Sequence, residues 1–395
     1  MAYLLSWQAE VYSAADTTDT WRLNFSESIG YDDNLFRLSD NKDSLARLLP
    51  SGASKTDVIN RFSVEGLINY KVSRQRFLLD FRVDDNRFIR NDKLNNLSAN
   101  AKAALEWQIG KYLSGDIGYR YRRYLGAFTN TVFFGKDMVT ENIAYLNSRI
   151  SWDPNWRIHA GIQWAKAAHG AEERSSWDSQ SIGVSIGLDY ISTSKNVTGL
   201  EYRLTEADFP NTELSQDTQI DNHYMEQSVG ASLSWQIFKK VRLDGRIGYT
   251  IRDHRTFSSR NFSGEIWRIS VDWEPTAKTR INLAGWRDLL SAPDLTATYI
   301  IDEGISLSPS WSVTKKIALS GKIYYETQDY AGDPGLIKGI SVRRDEIFGG
   351  QITVHYMPRQ NAEVSLSYRA EERSSNRLFA DYVYSSIFAS ATFRF

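Results

Sequence analysis

Charged side chains recur at every second position in several stretches of this chain, with arginine prominent among them. Asp80, Arg82 and Asp84 form one row, Asp116, Arg120 and Arg122 a second, and Arg157 and His159 a third. Arg242, Asp244, Arg246 and Arg252 follow, then Lys322, Tyr324 and Glu326, and finally Glu363, Arg369 and Glu371. A period of two puts each row on one face of a β-strand. Two kinds of chemistry suit such faces. Opposite charges on neighbouring strands can pair across the ladder and stiffen a wall, and guanidinium forks can grip carboxylates or sugar hydroxyls. Catalysis has little to draw on. The five histidines, His159, His169, His223, His254 and His355, show no HExxH and no pair at ligand spacing. His159 and His355 fall on charged faces, without a serine and an acid arranged around either. No enzyme activity, metal site or cofactor is expected. The lone acidic pair Asp32-Asp33 and the twice-occurring string Ala-Glu-Glu-Arg-Ser-Ser, at Ala171 to Ser176 and Ala370 to Ser375, read as solvated charge.

The elements that carry these rows alternate apolar and polar residues. Val229, Ala231, Leu233, Trp235 and Ile237 interleave with Ser228, Gly230, Ser232, Ser234 and Gln236. After Phe238-Lys239-Lys240, Val241, Leu243, Ile247, Tyr249 and Ile251 interleave with Arg242, Asp244, Arg246, Thr250 and Arg252. One face is fit for lipid, the other for water. The grammar runs from Trp21 to Phe395.

Short and long connections take turns along the chain. The short ones fall at Ser73 to Gln75, Gly110-Lys111, Asp153 to Asn155, Thr193 to Asn196, Phe238 to Lys240, Glu274 to Ala277, Pro309 to Ser312 and Pro358 to Asn361. Nine longer polar segments separate them, among them Ser39 to Lys55, Gly126 to Asp137, Gly170 to Gln180, Asp288 to Ala297 and Gln328 to Arg344. These connections imply a transmembrane antiparallel β-barrel of about 18 strands, with short turns on one rim and long loops on the other. Alternation is ragged at Glu141 to Trp152, Glu265 to Trp273 and Arg280 to Ile305, which leaves 16 to 20 strands open. Barrels of this size enclose an aqueous channel, so the charged rows would line a path. Tyr119, Tyr121, Tyr124, Tyr325 and Tyr330 are expected in an interfacial girdle, with Tyr324 turned inward.

Composition agrees. Mean hydropathy is −0.44, and the chain carries 12 Trp, 21 Tyr and 18 Phe, enough to furnish aromatic girdles. No apolar stretch is long enough for a membrane helix. A net charge of −1 supplies no basic field for nucleic acid. The absence of cysteine excludes disulfide staples and thiolate metal sites. Residues 1–18 have small side chains before Asp16 but no basic segment, and read as a leader remnant or an added start; residues 19–395 form one domain. The last strand alternates to a terminal Phe395, which is similar to the signal read by the barrel-assembly machinery of the bacterial outer membrane.

The first strand ends in Gly30-Tyr31-Asp32-Asp33-Asn34-Leu35-Phe36-Arg37-Leu38, followed by a Ser/Asp-rich loop. With Ser73 to Phe77, Asn86-Arg87-Phe88 and Leu105 to Gly110 before Ser114-Gly115, this resembles the EpsL-type outer-membrane proteins of exosortase-associated exopolysaccharide clusters. The likeness covers roughly the first third of the chain. It implies a conduit for a secreted polysaccharide, set in outer-membrane lipid and lipopolysaccharide and served by periplasmic or inner-membrane export proteins. A diffusion porin for small solutes or oligosaccharides is the alternative.

Overall fold

A computed structural model describes residues 20–41, 49, 51–129, 133–211, 223–255, 258–292, 297–332 and 341–395. The expected N-terminal segment lies outside the described residues. The strands are β1 (Trp21–Asp32), β2 (Asp57–Val72), β3 (Gln75–Phe88), β4 (Asn96–Ile109), β5 (Leu113–Leu125) and β6 (Met138–Ile150). Next come β7 (Trp156–Ala168), β8 (Ser179–Ile191), β9 (Val197–Asp208), β10 (Tyr224–Phe238), β11 (Val241–His254) and β12 (Phe262–Thr276). The last six are β13 (Thr279–Ser291), β14 (Tyr299–Ser312), β15 (Ile317–Ala331), β16 (Arg344–Arg359), β17 (Ala362–Ser375) and β18 (Tyr382–Arg394). Each pairs antiparallel with its sequence neighbours, and β1 closes on β18 from Asn24↔Arg394 to Asp32↔Ser386. The result is one closed sheet of 18 strands. Among the described residues no helix is long and apolar enough to cross a membrane. Strands of 12 to 16 residues exceed the roughly 9–11 that a tilted strand needs to cross one.

Side-chain direction follows the expected period. Val229, Trp235, Ile247 and Tyr249 point outward and are exposed, as lipid-facing residues are in an isolated chain. Arg242, Asp244, Arg246 and Arg252 occupy the opposite face. The ragged stretches run along β6, β12, β13 and β14, which pair antiparallel with a register shift after Trp273, and their code is locally inverted. Glu265, Arg287 and Glu303 face outward near the loop rim and neutralise one another, Arg287 reaching Glu303 and lying 3.9 Å from Glu265. Trp286 and Ile300 face inward and are buried.

One expected turn is misplaced. Pro309 to Ser312 belongs to β14, and the reversal falls at residues 313–316. Pro309 has no N–H to donate, so pairing with β15 lapses between Leu307↔Ile323 and Ser310↔Ser320. The strand nevertheless continues because β13 holds its other edge through Ile281↔Pro309 and Thr279↔Trp311. At the loop rim, β13 and β15 also run further than expected, to Ser291 and Ala331.

Candidate functional site: the lumen

The structure places all the charged rows on the inward face and shows most of them paired. Arg82 joins Asp84 at 2.8 Å and also reaches Glu65. Asp116 meets Arg149 at 3.0 Å, Arg122 meets Glu141 at 3.1 Å, and Arg157 meets Asp189 at 2.7 Å. Arg242 lies 2.8 Å from Asp244, Arg252 2.6 Å from Glu226, and Arg369 2.8 Å from Glu371. The Tyr324 hydroxyl donates to Glu371, and the Lys322 ammonium stands 5.2 Å from the Tyr324 ring. Glu326 accepts from the Gln328 amide at 3.3 Å. Asp80 and Arg120 are engaged as well. Of these residues, Arg246 and Lys322 have no hydrogen bond or ion pair among the described residues, and Lys322 has only its contact with the Tyr324 ring. The partners Arg149, Asp189, Glu201 and Glu226 went unremarked in the sequence and Asp288 falls in a segment expected as a loop, although each shares the inward parity of its strand. Asp189, at the end of the small-residue face Ser179, Ser181, Gly183, Ser185 and Gly187 of β8, was the clearest signal.

Tyr124 and Tyr330 are corrections to the expected girdle. Tyr124 shares its face with Arg122 and donates to Glu141 at 2.6 Å, while the Tyr330 ring lies 4.3 Å from the Arg343 guanidinium. Tyr119 and Tyr325 face outward as expected. His159 bridges Asp189 at 3.1 Å and Glu201 at 3.3 Å. His355 has a serine and an acid beside it after all: Ser320 Oγ at 3.1 Å from Nε2 and Glu363 at 2.9 Å from Nδ1. Because Glu363 is also bound by Arg394, the string continues into a wall ion pair. Ser320 and His355 line none of the three cavities below.

At the loop end, residues 30–38 build a clasp. Arg37 adopts φ 54°, and its guanidinium forks onto Asp32 with two bonds of 2.9 Å while stacking 3.4 Å from the Tyr384 ring. The Asn34 amide donates to Leu38 O at 2.8 Å and, across the β1–β18 seam, to Val383 O at 2.9 Å. Asp33 accepts from Ser385 N–H at 2.7 Å and from the Ser385 hydroxyl at 2.6 Å. The clasp aims Leu35, Phe36 and Leu38 into an apolar cluster with Ile59, Phe88, Leu94, Phe128 and Phe134, where Phe36 is 1% exposed. Phe128 and Phe134 belong to the loop after β5. Its Asp137 receives Gly170 N–H at 2.9 Å and Ala171 N–H at 3.2 Å from the loop after β7. In that second loop, burial holds His169 below its ordinary pKa against the opposing pull of Asp137 and Asp178, and burial lowers Arg174 likewise.

Among the described residues three spaces stand out along the lumen, adjoining ones sharing Arg149 or Asp288 and Leu290 in their walls. One of ≈ 890 Å³ at the turn end is bounded by Arg76, Lys102, Glu106 and Arg149. One of ≈ 350 Å³ lies against β7 to β13 and includes His159, Arg203, Arg246 and Thr250. The third, ≈ 470 Å³, lies near the loop end: Thr129 and Trp177, from the loops after β5 and β7, share it with Arg268, Asp302, Tyr324 and Glu371 of the opposite wall.

The family profile described as "Putative beta-barrel porin 2" matches residues 174–395, more than half of the chain. The chain belongs to that family. It is a porin-like channel of the bacterial outer membrane, so the short turns are periplasmic and the long loops external. The porin also resembles solved barrels in fold. A BenF-like porin from Pseudomonas fluorescens Pf-5 is 8% identical with a TM-score of 0.51, over 95% of this chain and 99% of that one. The outer membrane protein OpdK of Pseudomonas aeruginosa is 10% identical with a TM-score of 0.50 over the same shares. OccK2 (OpdF) of Pseudomonas aeruginosa, solved in complex with glucuronate, is 9% identical with a TM-score of 0.50, over 95% and 98%. No curated protein matches the chain.

Proposed function

We propose that this porin lets small polar solutes diffuse across the outer membrane. The observation that carries this reading is the external cavity shared by Thr129 and Trp177 with the opposite wall. Loops that reach across a bore divide it, and a sliding polymer needs a continuous one. The paired charges leave a wall that is polar but largely self-satisfied, which suits brief contacts with small solutes better than capture. Structural relatives that are themselves porins support the same view.

The second reading is exopolysaccharide export, favoured by the likeness of Gly30 to Leu38 to EpsL-type proteins. In this chain that motif spends its polar groups on its own turn and on the β1–β18 seam. It therefore explains closure of the barrel, and export would require the loops after β1, β5 and β7 to withdraw.

Liposome swelling separates the two. With purified porin, swelling rates are expected to fall steeply from monosaccharides to hexasaccharides. A rate that stays flat across that series, together with polymer trapped in the periplasm of a deletion strain, would favour export.

A further inference from the structure

Resting on the porin reading, we propose that Arg246 is the anchor of a binding site for small hydroxylated carboxylates midway along the pore. Arg246 is the sixth residue of β11 and lies directly opposite Ser232 on β10 and Arg268 on β12. A like-charged pair facing each other across a ladder is unfavourable unless something neutralises it. The carboxylates that act on Arg246 are Asp288 and Glu201, and both are taken. Asp288 holds Arg268 at 2.5 Å, and Glu201 holds Arg203 at 2.5 Å while lying 3.3 Å from His159. Among the described residues Arg246 has neither a hydrogen bond nor an ion pair, and it borders the ≈ 350 Å³ cavity. A guanidinium fork left over in this way fits a carboxylate through two parallel bonds.

The wall beside it is shaped for the rest of a ligand. One rung up, the inward residues of β11 and β10 are Gly248 and Gly230, which face each other. A Cβ on Gly248 would stand 2.9 Å from Val229 O and 3.2 Å from the Gly230 Cα, so the backbones close up and leave a recess without side chains. One rung further, Ser228 lies opposite Thr250. Thr250 is 1% exposed, and among the described residues its hydroxyl has no hydrogen-bond partner. Thr250 lies four residues along the strand from Arg246, about 14 Å at about 3.4 Å each. Allowing for the reach of the arginine, this matches a compact acid with its carboxylate at Arg246 and a hydroxyl at Thr250.

The test uses the full-length porin in planar bilayers, with gluconate as the probe and sorbitol as its uncharged counterpart. Gluconate is expected to reduce the chloride current through the parent channel, and sorbitol to do so far less. Arg246→Gln should need at least about tenfold more gluconate for the same reduction, the loss expected for a charge-assisted hydrogen bond. Arg280→Gln removes the same charge near the periplasmic rim, from the exposed pair with Glu274 at 2.6 Å, and should behave as the parent. Retained heat-modifiable gel mobility certifies each variant's barrel. Equal gluconate sensitivity of Arg246→Gln and the parent would overturn the site, as would equal reduction by sorbitol or an equal loss in Arg280→Gln. A parent chain that inserts but passes no ions would refute the porin reading instead.

Discussion

The string Ala-Glu-Glu-Arg-Ser-Ser occurs twice and folds in two ways. At Ala171 to Ser176 it enters a 3₁₀ turn spanning Glu172–Trp177, outside the barrel wall. At Ala370 to Ser375 it completes β17, paired with β16 on one side and with β18 on the other. In both places the arginine is buried against an aromatic ring and near an aspartate. Arg174 lies 4.5 Å from the Trp177 ring and 3.5 Å from Asp137, and Arg373 lies 4.4 Å from the Tyr382 ring and 3.8 Å from Asp345. The six residues thus specify an arginine anchor but no backbone conformation. Conformation is set by what the neighbouring amides meet. Gly170 and Ala171 give their N–H groups to Asp137 and leave the ladder, whereas β17 finds open strand edges on both sides.

The comparison breaks most readily at the two aspartates. Asp345 is fully buried and accepts from Arg343 at 2.5 Å and from the Ser375 hydroxyl at 2.6 Å. Asp345→Ala removes the buried carboxylate shared by Arg343 and Arg373 and is expected to cost roughly 3–5 kcal/mol, read as a lower unfolding temperature in detergent. Asp137→Ala should leave that temperature nearly unchanged and free the loop after β7. Equal losses from both would mean that the loop copy is as much a part of the barrel's stability as the strand copy.

A smaller effect is expected of Arg174→Ala, which removes a buried stacking contact of about 2 kcal/mol and should raise unit conductance as Trp177 loses its support. Unaltered conductance would show that Trp177 is held without Arg174.

The smallest effect is pH-dependent and belongs to the loop copy alone. His169 donates its backbone N–H to Asp178 at 2.7 Å, and burial lowers the pKa of its side chain. A lowered folded value means that the stabilising contribution is complete above the unfolded value, about 6.5, and is lost as pH falls through the folded value. Protection factors of the amides in residues 169–178 should therefore fall between neutral and acidic pH, while those in β17 stay constant. Phe or Leu at position 169 should abolish the pH dependence, and its persistence in those variants would assign it to another group.

How much of this was legible follows from where periodicity operates. In β10 and β11 one face is lipid and the other water, so two residue classes alternate and register can be read directly. At Glu265, Arg287 and Glu303 the outward face carries mutually compensating charges, and the pattern blurs because the compensation lies on other strands. Pro309 looked like a turn because its missing N–H is a local fact, while the support from β13 is not. The cluster around Phe36, Phe128 and Phe134 was the largest omission. Loops have no period to read, yet Leu35-Phe36 and Phe133-Phe134 were apolar pairs in segments otherwise given to water, and that was the available signal. The free state of Arg246 could not be read at all, since it depends on which carboxylates its neighbours claim.

The seam between β1 and β18 is secured at both ends. At the periplasmic rim Leu23 and Phe395 exchange backbone hydrogen bonds of 3.1 and 2.8 Å, with the Phe395 ring edge-on to Phe25 at 5.8 Å. At the external rim Asp33, Asn34 and Ser39 reach Ser385, Val383 and Asp381. A sheet normally frays from its ends, where each lost bond exposes only one more. Here the two points at which a tear would start are the two reinforced ones, so the join can fail only by opening in its middle against intact strand on either side. A cylinder stitched this way behaves mechanically as though its chain had no first or last strand.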